Sequence, residues 1–434
     1  MRRRRAGSVA ASIVAIGLAG VCGPPVLRGQ APAEDNCRVC HAALGDPRLT
    51  PPVEAFATDV HSARGLGCAD CHGGDPSVAG MEGMDPRKGF VGRPSKRRSI
   101  DLCGRCHSDA TYMRQFNPSL RVDQVAEYRT SVHGQRLLQR GDTAVAACAN
   151  CHPAHSIKPA VDPTSSVNPL NVSTTCGACH ASAEHMRAYG IPTDQKAKYE
   201  RSIHWEAMSV RRDLSAPTCN DCHGNHGAAP PGVSSVGNVC GQCHSVQAAY
   251  FGGSRHADTF QMIGAPGCAT CHNNHEILAS QDGMLGVGEG AVCGNCHSPD
   301  DPGGVVATAL RQAVDTLRWS LDSAAAILTR AERAGMEVSQ AQFDLDAVIT
   351  ELVSARAAIH SFALDSVRPI VDEGLAATDT AFVRGRRALA DLRFRRTGLA
   401  VSVLIILALV AGLSLKIRNL RQARAGVSHG GNHG

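Results

Sequence analysis

Residues 148–155 read CANCHPAH: two cysteines, a histidine directly after the second cysteine, and another histidine three residues on. The first five residues are one copy of a recurring pattern, C-x-x-C-H. The chain carries it nine times, as Cys37/Cys40/His41, Cys68/Cys71/His72, Cys103/Cys106/His107, Cys148/Cys151/His152, Cys176/Cys179/His180, Cys219/Cys222/His223, Cys240/Cys243/His244, Cys268/Cys271/His272 and Cys293/Cys296/His297. These motifs use 18 of the 19 cysteines and leave only Cys22.

C-x-x-C-H is the attachment signature of c-type haem. Two thioethers tether the porphyrin edge, and the adjacent histidine reaches the iron as its proximal ligand. Zinc sites and redox dithiols also use C-x-x-C, but neither requires a histidine after the second cysteine. Histidine is 20 of 434 residues, so nine occurrences out of nine are not chance. The sequence therefore predicts nine covalent haems c. Aromatic residues are only 4% of the chain, thin for an ordinary core, and apolar macrocycles would fill that space.

Both ends of the chain carry topological signals. MRRRR followed by AGSVAASIVAIGLAGV reads as a secretory signal occupying residues 1–33, with APA at 31–33 as the cleavage region. Covalent haem attachment takes place outside the bacterial cytoplasmic membrane, so export is required. Residues 397–415, TGLAVSVLIILALVAGLSL, contain no charge and are long enough to span a bilayer as a helix. Lys416, Arg418, Arg421 and Arg424 follow, as expected of a cytoplasmic tail at 416–434. The formal charge of +5 falls to zero without the five leader arginines, and to −4 without the four tail cations. An acidic exterior does not suggest nucleic-acid binding.

Aligning the motifs on the remaining histidines reveals an internal repeat. Each copy has a free histidine, a C-x-x-C-H-x-x-H segment and, after a loop, a second C-x-x-C-H. Residues 133–180, 204–244 and 256–297 fit fully. Residues 61–107 fit with one defect, Asp75 standing where the others have His155, His226 and His275. The first haem, at 37–41, precedes the four repeats. His155 cannot reach the far face of the iron bound by His152, because three helical residues advance only about 4.5 Å. It is expected to serve a neighbouring haem, as are His226 and His275.

Residues 37–297 resemble the multihaem c-type cytochromes, close to the cytochrome c3-like type with paired C-x-x-C-H motifs. The resemblance implies electron transfer through low-potential, mostly bis-histidine haems, since it omits the methionine ligand that raises potentials. The candidate distal ligands are His61, His133, His155, His185, His204, His226, His256 and His275, eight for nine irons. His185 lies outside the repeat register. His360, in the helical region, and His429 and His433, in the tail, are left out of the set.

The missing histidine falls in the first repeat. Met81, Met84 and Met113 are alternative ligands there, and an open iron is the other reading. The insert RKGFVGRPSKRR, residues 87–98, brings six cations to the same region, read either as a solvated loop or as an anion site. A multihaem reductase acting on a small nitrogen or sulfur oxyanion at an open haem is therefore the enzymatic alternative to an electron carrier. Lysine as proximal ligand, used by one class of multihaem nitrite reductase, is missing from all nine motifs. No tyrosine matches by motif the cross-link of the hydroxylamine oxidoreductases. A structural haem filament is the third reading.

From 303 to 396 the pattern changes. Apolar residues recur by four and three from Leu310 to Ala331, from Val338 to Phe362, and from Val371 to Leu392. Gly335 and Pro369 are the expected breaks between three antiparallel helices. The expected fold class is mainly α and irregular: a haem-packed multihaem cytochrome c domain over 34–302 with little regular structure, then an α-helical bundle or coiled-coil stalk, then one C-terminal transmembrane helix. The expected partners are the membrane, redox proteins or the quinol pool, and a second copy through the helical region. The expected location is the cytoplasmic membrane, single-pass, with the haem domain on the exported side.

Overall fold

A computed structural model describes residues 35–227 and 236–429. The proposed leader with Cys22, and His433, lie outside them. The described residues form helices, short 3-10 turns and loops, with no strand among them.

The helices of the cysteine-rich region are short because the motif itself needs only one turn. Cysteines three residues apart share a helix face, and in repeats one and three they sit on the single-turn helices Cys68–His72 and Cys219–His223. The residue before the second cysteine closes the turn from below. Asp70 accepts from Gly67 N at 2.6 Å, Asp221 from Thr218 N at 2.8 Å, and Asn150 from Ala147 N at 2.9 Å. The turn stops one residue after the motif, where Gly73, Gly224 and Asn273 take positive φ. Pro153 cannot adopt that conformation. In its repeat the positive φ moves to His155 (φ 71).

Each free histidine of repeats two to four lies at the second position of another short helix, Val132–Arg140, Ile203–Ser209 or Arg255–Ile263. A serine stands at each N-cap, and Ser131 and Ser202 accept from Gly134 N and Trp205 N. An aromatic residue three positions before each cap, Tyr128, Tyr199 or Phe251, completes a repeat element that histidine alignment alone does not expose. Its carbonyl accepts the backbone N–H of the cap serine.

By internal packing the chain divides into two parts: one runs through Cys103 and includes His152–Lys158; the other holds Gly104–Cys151 and the chain from Pro159 onward. Among the described residues before 300, only nine apolar side chains are buried, from Ile100 to Met208. At about 1.5–3 kcal/mol each, that is too little to hold some 260 residues.

The helical region packs differently. Helix α1 (Pro302–Arg333) is capped by Asp301, whose Oδ1 accepts from Gly304 N at 2.8 Å. The chain reverses at Gly335 (φ 82) into α2 (Ser339–Ala358). It reverses again through Ile359–Ser361 and Phe362 (φ 53) into α3 (Leu364–His429). Leu310, Val314, Leu317, Leu328, Val348, Leu352, Val367 and Val371 form one continuous core, so the region is a three-helix bundle. Pro369 does not break it. The turn falls at Phe362 instead, and Pro369 is carried inside α3, near its start, where few backbone bonds are lost.

Helix α3 runs on without interruption beyond the bundle. Its segment from Leu399 to Leu415 is apolar and exposed. It is long and apolar enough to cross a membrane, with none of the apolar window buried.

Candidate haem centres

At least six motif histidines among the described residues face a second imidazole. Ring centroids are separated by 5.9 Å for His72–His155, 6.0 Å for His133–His180, 6.2 Å for His204–His244, 5.9 Å for His223–His275, 6.0 Å for His256–His297 and 6.1 Å for His272–His360. A metal–imidazole nitrogen bond is about 2 Å, and a ring nitrogen lies roughly 1 Å from its ring centre. Two imidazoles on opposite sides of one iron thus stand roughly 6 Å apart. The six pairs fit that spacing, and each lies beside two half-buried or exposed cysteines.

Two rules generate five of the six pairs. Within repeats two, three and four, the free histidine faces the histidine of the second motif. Between repeats, the shared histidine faces the first motif of the preceding repeat: His155 faces His72, and His275 faces His223. The backbone shows how this is arranged. Val60 N donates to Ile157 O at 2.9 Å, and Ile203 N donates to Ile277 O at 2.8 Å. Each carbonyl lies two residues past the shared histidine.

Electrostatics favour the ligand form. Burial first, and the facing ring second, holds the pKa of His133, His155, His204, His223, His256 and His272 below the usual histidine range. Burial also lowers His180, His226 and His275. A neutral imidazole is the species that binds metal. Several rings are also oriented through Nδ1, which leaves Nε2 for the metal. His72 Nδ1 lies 2.7 Å from Gly92 O, His61 Nδ1 2.8 Å from the buried Asp59 carboxylate, and His297 Nδ1 3.1 Å from Asp301.

The remaining candidates are placed as follows. His41 lies on the helix Asn36–Ala43, and His107 ends the helix Lys96–His107. His152 follows the helix Cys148–Cys151, and His226 is half-buried beyond the third repeat's paired motif. His185 lies 6.1 Å from Tyr189 and within electrostatic reach of His180, whose ring already faces His133. His360, left out of the sequence-based set, faces His272. Met81 is 77% exposed, Met84 is half-buried and Met113 is buried. In the cationic insert, Arg87 pairs with Asp85 and Lys88 with Asp75.

The cysteine pairs do not all share one local fold. Cys103 and Cys106 lie one turn apart on the helix Lys96–His107, both half-buried. Cys293 and Cys296 instead bracket the close of the 3-10 turn Val292–Asn295. There Cys296 N donates to Cys293 O at 3.1 Å, and Cys296 is exposed while Cys293 is half-buried. The α-helical turn is thus replaced by a tighter one at the last motif, and Cys240 likewise lies in a 3-10 segment, Val236–Gln242.

Several successive motifs lie side by side. Cys37 and Cys68 are within electrostatic reach, as are Cys151 and Cys179, and Cys222 and Cys243. Cys271 is within reach of both Cys293 and Cys296. Cys176 is likewise within electrostatic reach of Cys219, and Cys240 of Cys268.

The repeat tyrosines brace the approach to the paired motifs. Tyr128 Oη donates to Ala146 O at 2.7 Å, and Tyr199 Oη to Pro217 O at 2.9 Å, each two residues before the first cysteine. Burial pushes both phenols up to about 12, so they remain protonated donors. Tyr128→Phe and Tyr199→Phe should each destabilise the holoprotein by about 1 kcal/mol, read as a lower midpoint in denaturant titration. Unchanged midpoints would contradict the bracing role.

Residues 60–181 match the family model described as Cytochrome c3, and residues 262–302 match the Doubled CXXCH motif. An uncharacterized protein of Archaeoglobus fulgidus (strain ATCC 49558 / DSM 4304 / JCM 9628 / NBRC 100126 / VC-16) is 38% identical over 64 residues, covering 12% of this chain and 22% of the relative. The chain thus spans about a fifth of that relative's length. No solved structure matches. The family matches support a multihaem c-type cytochrome with covalently bound haem, whose class of activity is electron transfer.

Proposed function

We propose that the chain is a membrane-anchored electron carrier that holds nine haems c in series on the exported side of the cytoplasmic membrane. Each haem iron, when bound, takes up and releases one electron. The nine cysteine pairs, from Cys37 and Cys40 to Cys293 and Cys296, tether the groups, and each motif histidine binds one face of an iron. The histidines of the repeat register bind the opposite faces. The observation that carries this reading is the set of six imidazole pairs, each about 6 Å apart and each containing one motif histidine. The side-by-side motifs support electron transfer between neighbours, because adjoining tethers keep the groups they hold close.

The bundle separates the haem head from the bilayer. From Leu364 to Arg396, α3 contains 33 residues, roughly 50 Å at the helical rise. This favours a redox partner protein at the exported face over direct exchange with a quinol dissolved in the bilayer.

In the intact organism, haem-stained protein should fractionate with membranes. Cleavage engineered near residue 396 should release a soluble fragment carrying nine covalent haems by mass. Full-length protein in the soluble fraction would remove the anchor. A fragment without covalent haem would remove the carrier.

A further inference from the structure

We infer that His360, on the turn between α2 and α3, is the distal iron ligand of the haem tethered by Cys268 and Cys271. This deepens the proposed function and rests on its reading of the motifs as haem c sites. The His360 and His272 rings are 6.1 Å apart with an interplanar angle of 21°, inside the range of the other five pairs. His360 Nδ1 lies 3.0 Å from Ala357 O. Its N–H donates there, so Nε2 is left for the metal.

The repeat rule supplies a second, independent observation. The first-motif histidines of repeats one and three each face the shared histidine of the next repeat. The fourth repeat has no successor, so His272 has no repeat histidine to face. The helical bundle occupies the successor's place and provides one.

The turn bearing His360 is also fixed against the fourth repeat. Arg356, one helical turn before it, donates two hydrogen bonds to Asp282, at 2.8 and 2.7 Å. Asp282 lies between the last two motifs, and its carbonyl accepts from Arg311 of α1 at 2.9 Å. Phe362 packs on the His256 ring at 3.9 Å between centroids. Contacts on both sides of His360 hold it in register. The bundle is therefore part of the haem-binding machinery as well as a stalk, and the last paired haem is joined directly to the start of the helix that leads toward the membrane.

The test uses the full-length haem-loaded protein in detergent, comparing wild type with His360→Ala and His360→Met. His360→Ala should keep all nine covalent haems by mass and convert one iron from low to high spin. It should bind one more carbon monoxide per chain than wild type after reduction, and added imidazole should restore the low-spin signal. His360→Met should stay six-coordinate and raise the potential of one haem. That variant preserves the test if the alanine protein is poorly folded. Nine haems with wild-type spin state and wild-type carbon monoxide uptake in His360→Ala, or nine unchanged potentials in His360→Met, would overturn the assignment. Wild-type protein lacking covalent haem would instead overturn the proposed function.

Discussion

Asp75→His should abolish carbon monoxide binding by the reduced wild-type framework and lower the potential of one haem. By the repeat rule, position 75 is where a shared histidine would serve the preceding haem, the one at Cys37 and Cys40. The local structure agrees. Asn36 N and Nδ2 both donate to Pro76 O, at 3.0 and 3.1 Å, so the start of the Cys37–His41 motif lies against the residue after Asp75. Asp75 itself is engaged elsewhere. Its carboxylate accepts from Ser77 Oγ at 2.6 Å and Lys88 Nζ at 3.0 Å, and these bonds pull its pKa down to about 2. Among the described residues, no imidazole ring faces His41. A histidine at 75 supplies the missing ligand and turns the exceptional iron into an ordinary bis-histidine centre. Wild-type protein that binds no carbon monoxide would remove both this expectation and the alternative of catalysis at an open first haem.

The shared histidines give the second large effect. His155→Ala and His275→Ala should each keep nine covalent haems, because attachment uses only the local cysteines and their adjacent histidine. Each should convert one iron to high spin, the affected haem being that of Cys68 and Cys71 in the first variant and that of Cys219 and Cys222 in the second. The two sites lie in different repeats, so the double variant should show the sum of the single effects. Their rings stack on their partners with interplanar angles of 8° and 14°. Full haem content with no new high-spin iron would show that these histidines do not ligate. Loss of a haem would show that attachment depends on more than the local motif.

Much of this architecture was legible because covalent attachment leaves a rigid sequence pattern. The C-x-x-C-H spacing proposes tether and proximal histidine together, and three-residue geometry alone directs His155 toward another iron; the facing of His155 and His72 agrees with that expectation. The apolar period of the helical region announced three helices. His360 was left out of the expected set for a physical reason. Its neighbours Ile359 and Phe362 carry the apolar period of α2, so the surrounding pattern reads as bundle packing. The available signal was arithmetic in the repeat: the last first-motif histidine had no successor to face. The break placed at Pro369 failed because a proline near a helix start costs little, whereas the reversal at Phe362 depends on a positive φ that a phenylalanine does not advertise. The cap serine with its preceding aromatic was present in three repeats, but it became recognisable only once Tyr128, Tyr199 and Phe251 were seen bonding their serines.

The most direct test of the central claim is electron paramagnetic resonance during a redox titration of the full-length holoprotein, with haem content fixed by intact mass. The account predicts nine covalent haems. Eight of these irons should be low-spin bis-histidine centres, served by His61, His133, His155, His204, His226, His256, His275 and His360, and one exceptional iron should belong to the Cys37/Cys40 motif. Fewer than nine haems, or several high-spin irons in the wild-type protein, would contradict it.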